Sequence, residues 1–136
     1  NMKNYNIFLD DERYPIFIKD SLGELFPSDW IVVRDYFEFT KFIDQNFDQV
    51  NIISFDHDLA CYDKDKKEWT GKDAVNYVID ICVNQDKKFP NWYVHTKNTS
   101  GRENIISSIL NYIKHIENKE LNYKYYNNGF INNKAI

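Results

Sequence analysis

Three apolar runs in this chain each stop on a polar cluster, and that pattern constrains the fold more than any other feature. Tyr5-Asn6-Ile7-Phe8-Leu9 ends at Asp10-Asp11-Glu12-Arg13. Ile52-Ile53-Ser54-Phe55 ends at Asp56-His57-Asp58, and Trp92-Tyr93-Val94 ends at His95-Thr96. Short β-branched and aromatic runs bounded this way read as buried strands. Trp30-Ile31-Val32-Val33 is a further short strand, with a helical turn placed near Ser21 to Phe26 before it. Between the strands the apolar spacing turns helical. Phe39, Phe42, Ile43 and Phe47 follow Asp35, an N-cap with Glu38 behind it. Ala74, Val75, Val78, Ile79 and Cys82 follow Thr70 and Asp73, a capping pair. Ile105, Ile106, Ile109, Leu110, Ile113 and Ile116 follow Ser100 and Glu103, which read as a capping box. Ala60 to Trp69 reads as a charged loop and Pro90 as a turn.

Strands alternating with helices imply an α/β fold with a parallel sheet covered on both faces. Right-handed crossovers bring the carboxyl ends of parallel strands to one edge, where ligands of such sheets bind. The order 2-1-3-4 makes the strands ending in Asp10-Asp11 and Asp56 neighbours. Three segments distant in sequence are therefore expected to meet. At 136 residues the whole chain fits one domain. The stretch from about residue 120 is polar and aromatic, suiting an added C-terminal edge strand or a loose tail.

Several function classes are disfavoured. The net charge of −4 argues against an extended grip on duplex nucleic acid, though one pocket can be locally positive. Cys61 and Cys82 form neither a CxxC nor a Cys/His zinc spacing, which suits a reducing cytoplasm. No apolar run approaches a membrane span, and Asn1-Met2-Lys3 opens no signal-peptide core. Asn1 reads as an added residue. Richness in Asn, Lys, Ile and Tyr fits an AT-rich genome, so the expected setting is the cytoplasm of a bacterium or of a phage's host. Glycine-rich nucleotide loops and a GxSxG elbow are absent.

What remains is the polar edge. Asp10 and Asp11 are adjacent, and Asp56 and Asp58 are two apart. Crowded carboxylates repel, and a hard divalent cation relieves that. Asp10, Asp11 and Asp56, with Asp58 in support, are thus expected to hold Mg²⁺ or Mn²⁺. His57 and His95 each follow a strand and are candidate acid/base groups, because imidazole titrates near neutrality. Arg13 and Arg102 are candidate anion clamps. Arg102 is the stronger, because a helix N-terminus already favours phosphate. Asn98 and Asn104 flank the same turn and can donate to phosphate oxygens, and Gly101 suits close backbone approach there.

Together, Leu9 to Arg13, Ser54 to Leu59, His95 to Asn98 and Gly101 to Asn104 resemble the cyclic-phosphate-processing receiver-like family. The resemblance covers most of residues 5 to 116 and implies a receiver-like (flavodoxin-like) three-layer sandwich. In response-regulator receivers an acidic pair, a third-strand aspartate and a fourth-strand hydroxyl surround Mg²⁺. Asp10, Asp11, Asp56 and Thr96 match those positions. The lysine that receivers carry after a fifth strand has no counterpart here; Lys124 lies in the tail. His57, His95 and Arg102 are extras that a phosphoacceptor switch does not need.

The family's implied role is to act on cyclic phosphates of nucleotides or damaged RNA ends. The leading expectation is a phosphoesterase in which Asp56 and a metal serve the phosphate. His57 and His95 act as acid and base, and Arg13, Thr96, Asn98, Arg102 and Asn104 bind oxygens. The alternative is a signalling or nucleotide-binding module that does not cleave, including one that sequesters a cyclic-nucleotide immune signal.

Overall fold

A computed structural model of the chain describes residues 5–18 and 27–115. Four strands form one parallel sheet: β1 (Tyr5–Leu9), β2 (Ile31–Val33), β3 (Val50–Phe55) and β6 (Asn91–Val94). Their order, β2-β1-β3-β6, is the expected 2-1-3-4 of a receiver-like fold. Two shorter strands, β4 (Cys61–Tyr62) and β5 (Glu68–Trp69), pair antiparallel. The helices are α1 (Tyr36–Asn46), α2 (Gly71–Gln85) and α3 (Thr99–His115). The expected turn near Ser21 to Phe26, Ile116 and the tail from about residue 120 lie outside the described residues.

Strand parity divides the core in two. Ile7, Leu9, Ile53, Phe55, Trp92 and Val94 share one cluster with Phe39 and Ile43 of α1, Val75 and Val78 of α2, and Ile105 and Ile109 of α3. Phe8 and Tyr93 face the other way, packing with Ile18, Trp30, Val32 and Ile52. Burial on both faces is why β1 and β3 are nearly continuous apolar runs.

Two local readings change. Ala60 to Trp69 is a hairpin, not a loop, because Asp63 folds it. Its carboxylate accepts from the N–H groups of Asp65 and Lys67 and from the Trp69 indole. The Trp69 ring stacks on Tyr36 with centroids 4.6 Å apart, docking the hairpin on α1. The cap of α3 is Asn98, whose side-chain oxygen accepts from Gly101 N–H at 2.8 Å. Ser100 and Glu103 lie inside the helix, so the expected capping box does not form. Asp35 caps α1 as expected, accepting from Glu38 N–H at 2.8 Å.

The start of α2 presses on the loop after β3. Gly71 N–H donates to the His57 carbonyl at 2.8 Å. A Cβ at Gly71 would lie 1.8 Å from the Asp56 carbonyl oxygen. Because that neighbour is backbone, Gly71→Ala is expected to destabilise by about 1–3 kcal/mol or more, the usual cost of overpacking. Urea unfolding at neutral pH checks it, since Gly→Ala at an unconstrained site stabilises instead.

Candidate functional site

The hydrogen-bond ladder runs one residue beyond the strands. Asp10 N–H donates to Val33, Asp56 N–H to Leu9 and His95 N–H to Phe55, all at 2.9–3.1 Å. Arg34, Asp10, Asp56 and His95 therefore form the last row of the sheet. By parity Asp10, Asp56 and His95 continue the side of Phe8, Ser54 and Tyr93.

Asp10 is the best-anchored of them, at 1% exposure. Its Oδ1 accepts from the N–H groups of Glu12 and Arg13, each at 2.8 Å. Its Oδ2 accepts from Arg13 Nε at 3.1 Å and faces His95 Nε2 at 3.2 Å. Burial alone would raise its pKa. The bonds from His95, Arg13 and Glu12 outweigh that and hold it well below the usual carboxylate range.

His95 has 0% exposure. Its ring stacks on Phe8 with centroids 4.1 Å apart, and its Nδ1 lies 2.6 Å from Ser54 Oγ. Burial, opposed by Asp10, lowers its pKa to about 4, so the ring is neutral at pH 7. An ionised Asp10 can only accept, so Nε2 carries the proton and Nδ1 accepts from Ser54. Both nitrogens are engaged beneath the surface. His95 is thus not placed as the open acid/base group expected of it.

Asp56 is buried beside Asp10. Burial first and the Asp10 charge second raise its pKa to about 7, against hydrogen bonds from Thr96 and from His57 N–H. Burial also raises Asp11, helped by the charges of Asp10 and Glu12. One carboxylate oxygen from each of Asp10, Asp11 and Asp56 lies within 4.8 Å of the others. Asp58 is not in that group. Its Oδ1 accepts from His57 Nδ1 at 2.7 Å, and both its oxygens take Asn98 Nδ2, at 3.1 and 3.2 Å. The His57 bond is the main cause of its lowered pKa. With Asp58 ionised, His57 Nδ1 is the donor in that bond. The His57 side chain is 17% exposed.

A pocket of about 350 Å³ opens here, lined by Asp10 to Arg13, Asp56, Asp58 and Thr96 to Asn98. Arg13, Thr96 and Asn98 thus sit where a phosphate binder belongs. Arg102 and Asn104 do not line it. With α3 capped at Asn98, Arg102 lies a turn inside the helix and is buried, and Asn104 faces outward and is exposed. Gly101 does allow close approach, but to His57: a Cβ there would come 2.4 Å from the ring. Two contributors went unread in the sequence. Lys97 lines the pocket, and Arg34 donates to the carbonyls of Asp10 and Arg13 at 3.1 and 2.8 Å. The signal for Arg34 is its place directly after a strand, the position that marks the acids.

The oxygen-only donor set suits Mg²⁺ or Mn²⁺. Asp10 already meets two donors on each oxygen, so Asp11 and Asp56 are the carboxylates with capacity to spare.

The buried pair has opposite pH dependences. The folded pKa of His95 is depressed from 6.5 to about 4. Its contribution to stability is present above pH 6.5 and lost as pH falls through 4. The folded pKa of Asp56 is raised from 3.8 to about 7. Its contribution is present below pH 3.8 and lost as pH rises through 7. Each is worth up to about 4 kcal/mol at ~1.4 kcal/mol per unit, so they offset one another across the shared window. Asp56→Asn is expected to unmask His95. It should exceed wild type in stability at about pH 8 and lose that lead on acidification to about pH 5. Urea unfolding in EDTA at both values checks this; parallel profiles for the two proteins contradict it.

Among the described residues no helix is long and apolar enough to cross a membrane. Comparison with known proteins gives one family and no individual relative. None of the curated proteins or solved structures compared matches the chain. The model of the cyclic-phosphate processing receiver domain matches residues 5–111, from the first residue of β1 well into α3. That span holds every acid, histidine and arginine of the site just described, and the chain belongs to the cyclic-phosphate processing receiver domain family.

Proposed function

We propose that this domain is a cytoplasmic phosphoesterase that opens a cyclic phosphate on a nucleotide or an RNA end, with Mg²⁺ or Mn²⁺ as cofactor. One observation carries the reading. Three carboxylates converge at a pocket whose other walls are Arg13, Thr96, Lys97 and Asn98. An anionic ligand is repelled by such a floor unless a cation lies between them. Bound at Asp11 and Asp56, the metal would polarise a phosphoryl oxygen or lower the pKa of water.

In hydrolysis a water oxygen bonds to phosphorus and one ring P–O bond breaks. The released oxygen takes a proton, leaving a monoester. The chain's own part is to carry that proton and hold the phosphate. His57 is the proton carrier in this reading, with Asp58, which lines the pocket, fixing its tautomer through Nδ1. Arg13, Lys97 and Thr96 orient the phosphate oxygens. His95 becomes a positioning residue acting through Asp10.

A second reading, capture or signalling without cleavage, is favoured by the two expected proton carriers: His95 is fully buried, and neither His57 nor His95 lines the pocket.

Because Asp56 must lose a proton to bind the cation, Mn²⁺ affinity is expected to fall by up to about tenfold per unit below pH 7. Calorimetry with wild type, Asp56→Asn and Asp58→Asn checks this. Asp56→Asn should lose binding and Asp58→Asn should keep it. Incubation with 2′,3′-cyclic, 3′,5′-cyclic and cyclic oligonucleotide phosphates tests the reaction. His57→Ala is expected to lose about 10²–10⁴-fold in rate while still binding ligand. Binding without turnover of any class by wild type selects the second reading.

A further inference from the structure

The loop after β1 leaves its acids behind and turns outward with three apolar side chains. Tyr14 is 54% exposed, Ile16 76% and Phe17 70%. Such a group leaves aromatic area in water next along the chain from the pocket-lining Arg13. Tyr14 is also held. The guanidinium of Arg34 sits 4.4 Å from its ring centroid, and Phe17 lies tilted against it at 6.4 Å. Arg34 is itself fixed, because its Nη1 donates to the carbonyls of Asp10 and Arg13. The ring is therefore tied through one side chain to the pocket wall. It immediately follows Arg13, which lines the pocket, so the two Cα atoms are ~3.8 Å apart.

Resting on the cyclic-phosphate reading above, we propose that Tyr14, backed by Arg34, is the platform on which the nucleobase of the substrate stacks while its phosphate occupies the acid pocket. Only a sugar ring separates base from phosphate in a nucleotide, which matches a platform that Arg34 ties to the backbone of the pocket-lining Asp10 and Arg13. Every base has a π-face, so stacking on a tyrosine ring admits purines and pyrimidines alike. The substrate class is accordingly a nucleoside or RNA-terminal cyclic phosphate without strict base identity. A base-free sugar phosphate fills only half of the site.

Binding of adenosine 2′,3′-cyclic phosphate and of base-free ribose cyclic phosphate, each with Mn²⁺, separates the two halves. Wild type should prefer the adenosine compound. Tyr14→Ala should weaken it by about 5–100-fold, the usual size of one lost base stack, and leave the base-free compound unchanged. Tyr14→Trp should restore adenosine binding, with indole quenching as a direct signal. Equal affinity of wild type and Tyr14→Ala for the adenosine compound overturns the platform while sparing the cyclic-phosphate reading. So does sedimentation showing that Tyr14→Ala disrupts only self-association. Failure of wild type to bind either compound overturns both.

Discussion

The carboxylate of Asp10 is the constraint on which the polar edge of the sheet depends. Its four donors come from its own loop, from Arg13 and from His95 at the end of β6. Arg34, after β2, takes hold of the same residue by its carbonyl. One buried residue, through its carboxylate and its carbonyl, thus ties together three of the four strand ends. In so dry a place a charge persists only when every lone pair is met. Removing Asp10 would also strand the groups that serve it, since His95 and Arg13 are positioned by the same bonds.

That anchored charge governs its neighbours. Asp10 stays ionised, so Asp56 beside it is pushed toward the neutral acid. The site is built to be uncomfortable when all its acids are charged, and a cation is the simplest remedy. His57 stands outside this conflict. Its partner Asp58 is exposed, and its ring is fixed from below by the absence of a side chain at Gly101.

Much of this was legible in the sequence. The strand order followed from acids placed after apolar runs. The chain writes β1, β3 and β6 as runs of Ile, Phe, Val and Trp because both faces are buried. The row of Asp10, Asp56 and His95 followed from the same placement. Direction was harder to read. His95 looks like a proton carrier by position, yet it shares parity with Tyr93, and Phe8 and Ser54 lie on that same side. Parity, applied one residue past the strand, would have buried it. The cap of α3 was misread because Ser100 and Glu103 satisfy the capping-box pattern, whereas Asn98 caps the helix with no acid three residues on. That choice turns on where the chain leaves β6, which is a tertiary matter. Two residues of difference moved Arg102 from the rim into the helix. The hairpin was missed because Asp63 folds it through side-chain bonds that leave no apolar periodicity.

Asn98 does two jobs with one amide. Its oxygen closes the first turn of α3, and its nitrogen holds the carboxylate that fixes His57. A phosphate that recruits this nitrogen must take it from Asp58. One that rotates the amide also opens a helix end, at about 0.5–2 kcal/mol. Anything that turns this amide is therefore mechanically linked to the first turn of α3.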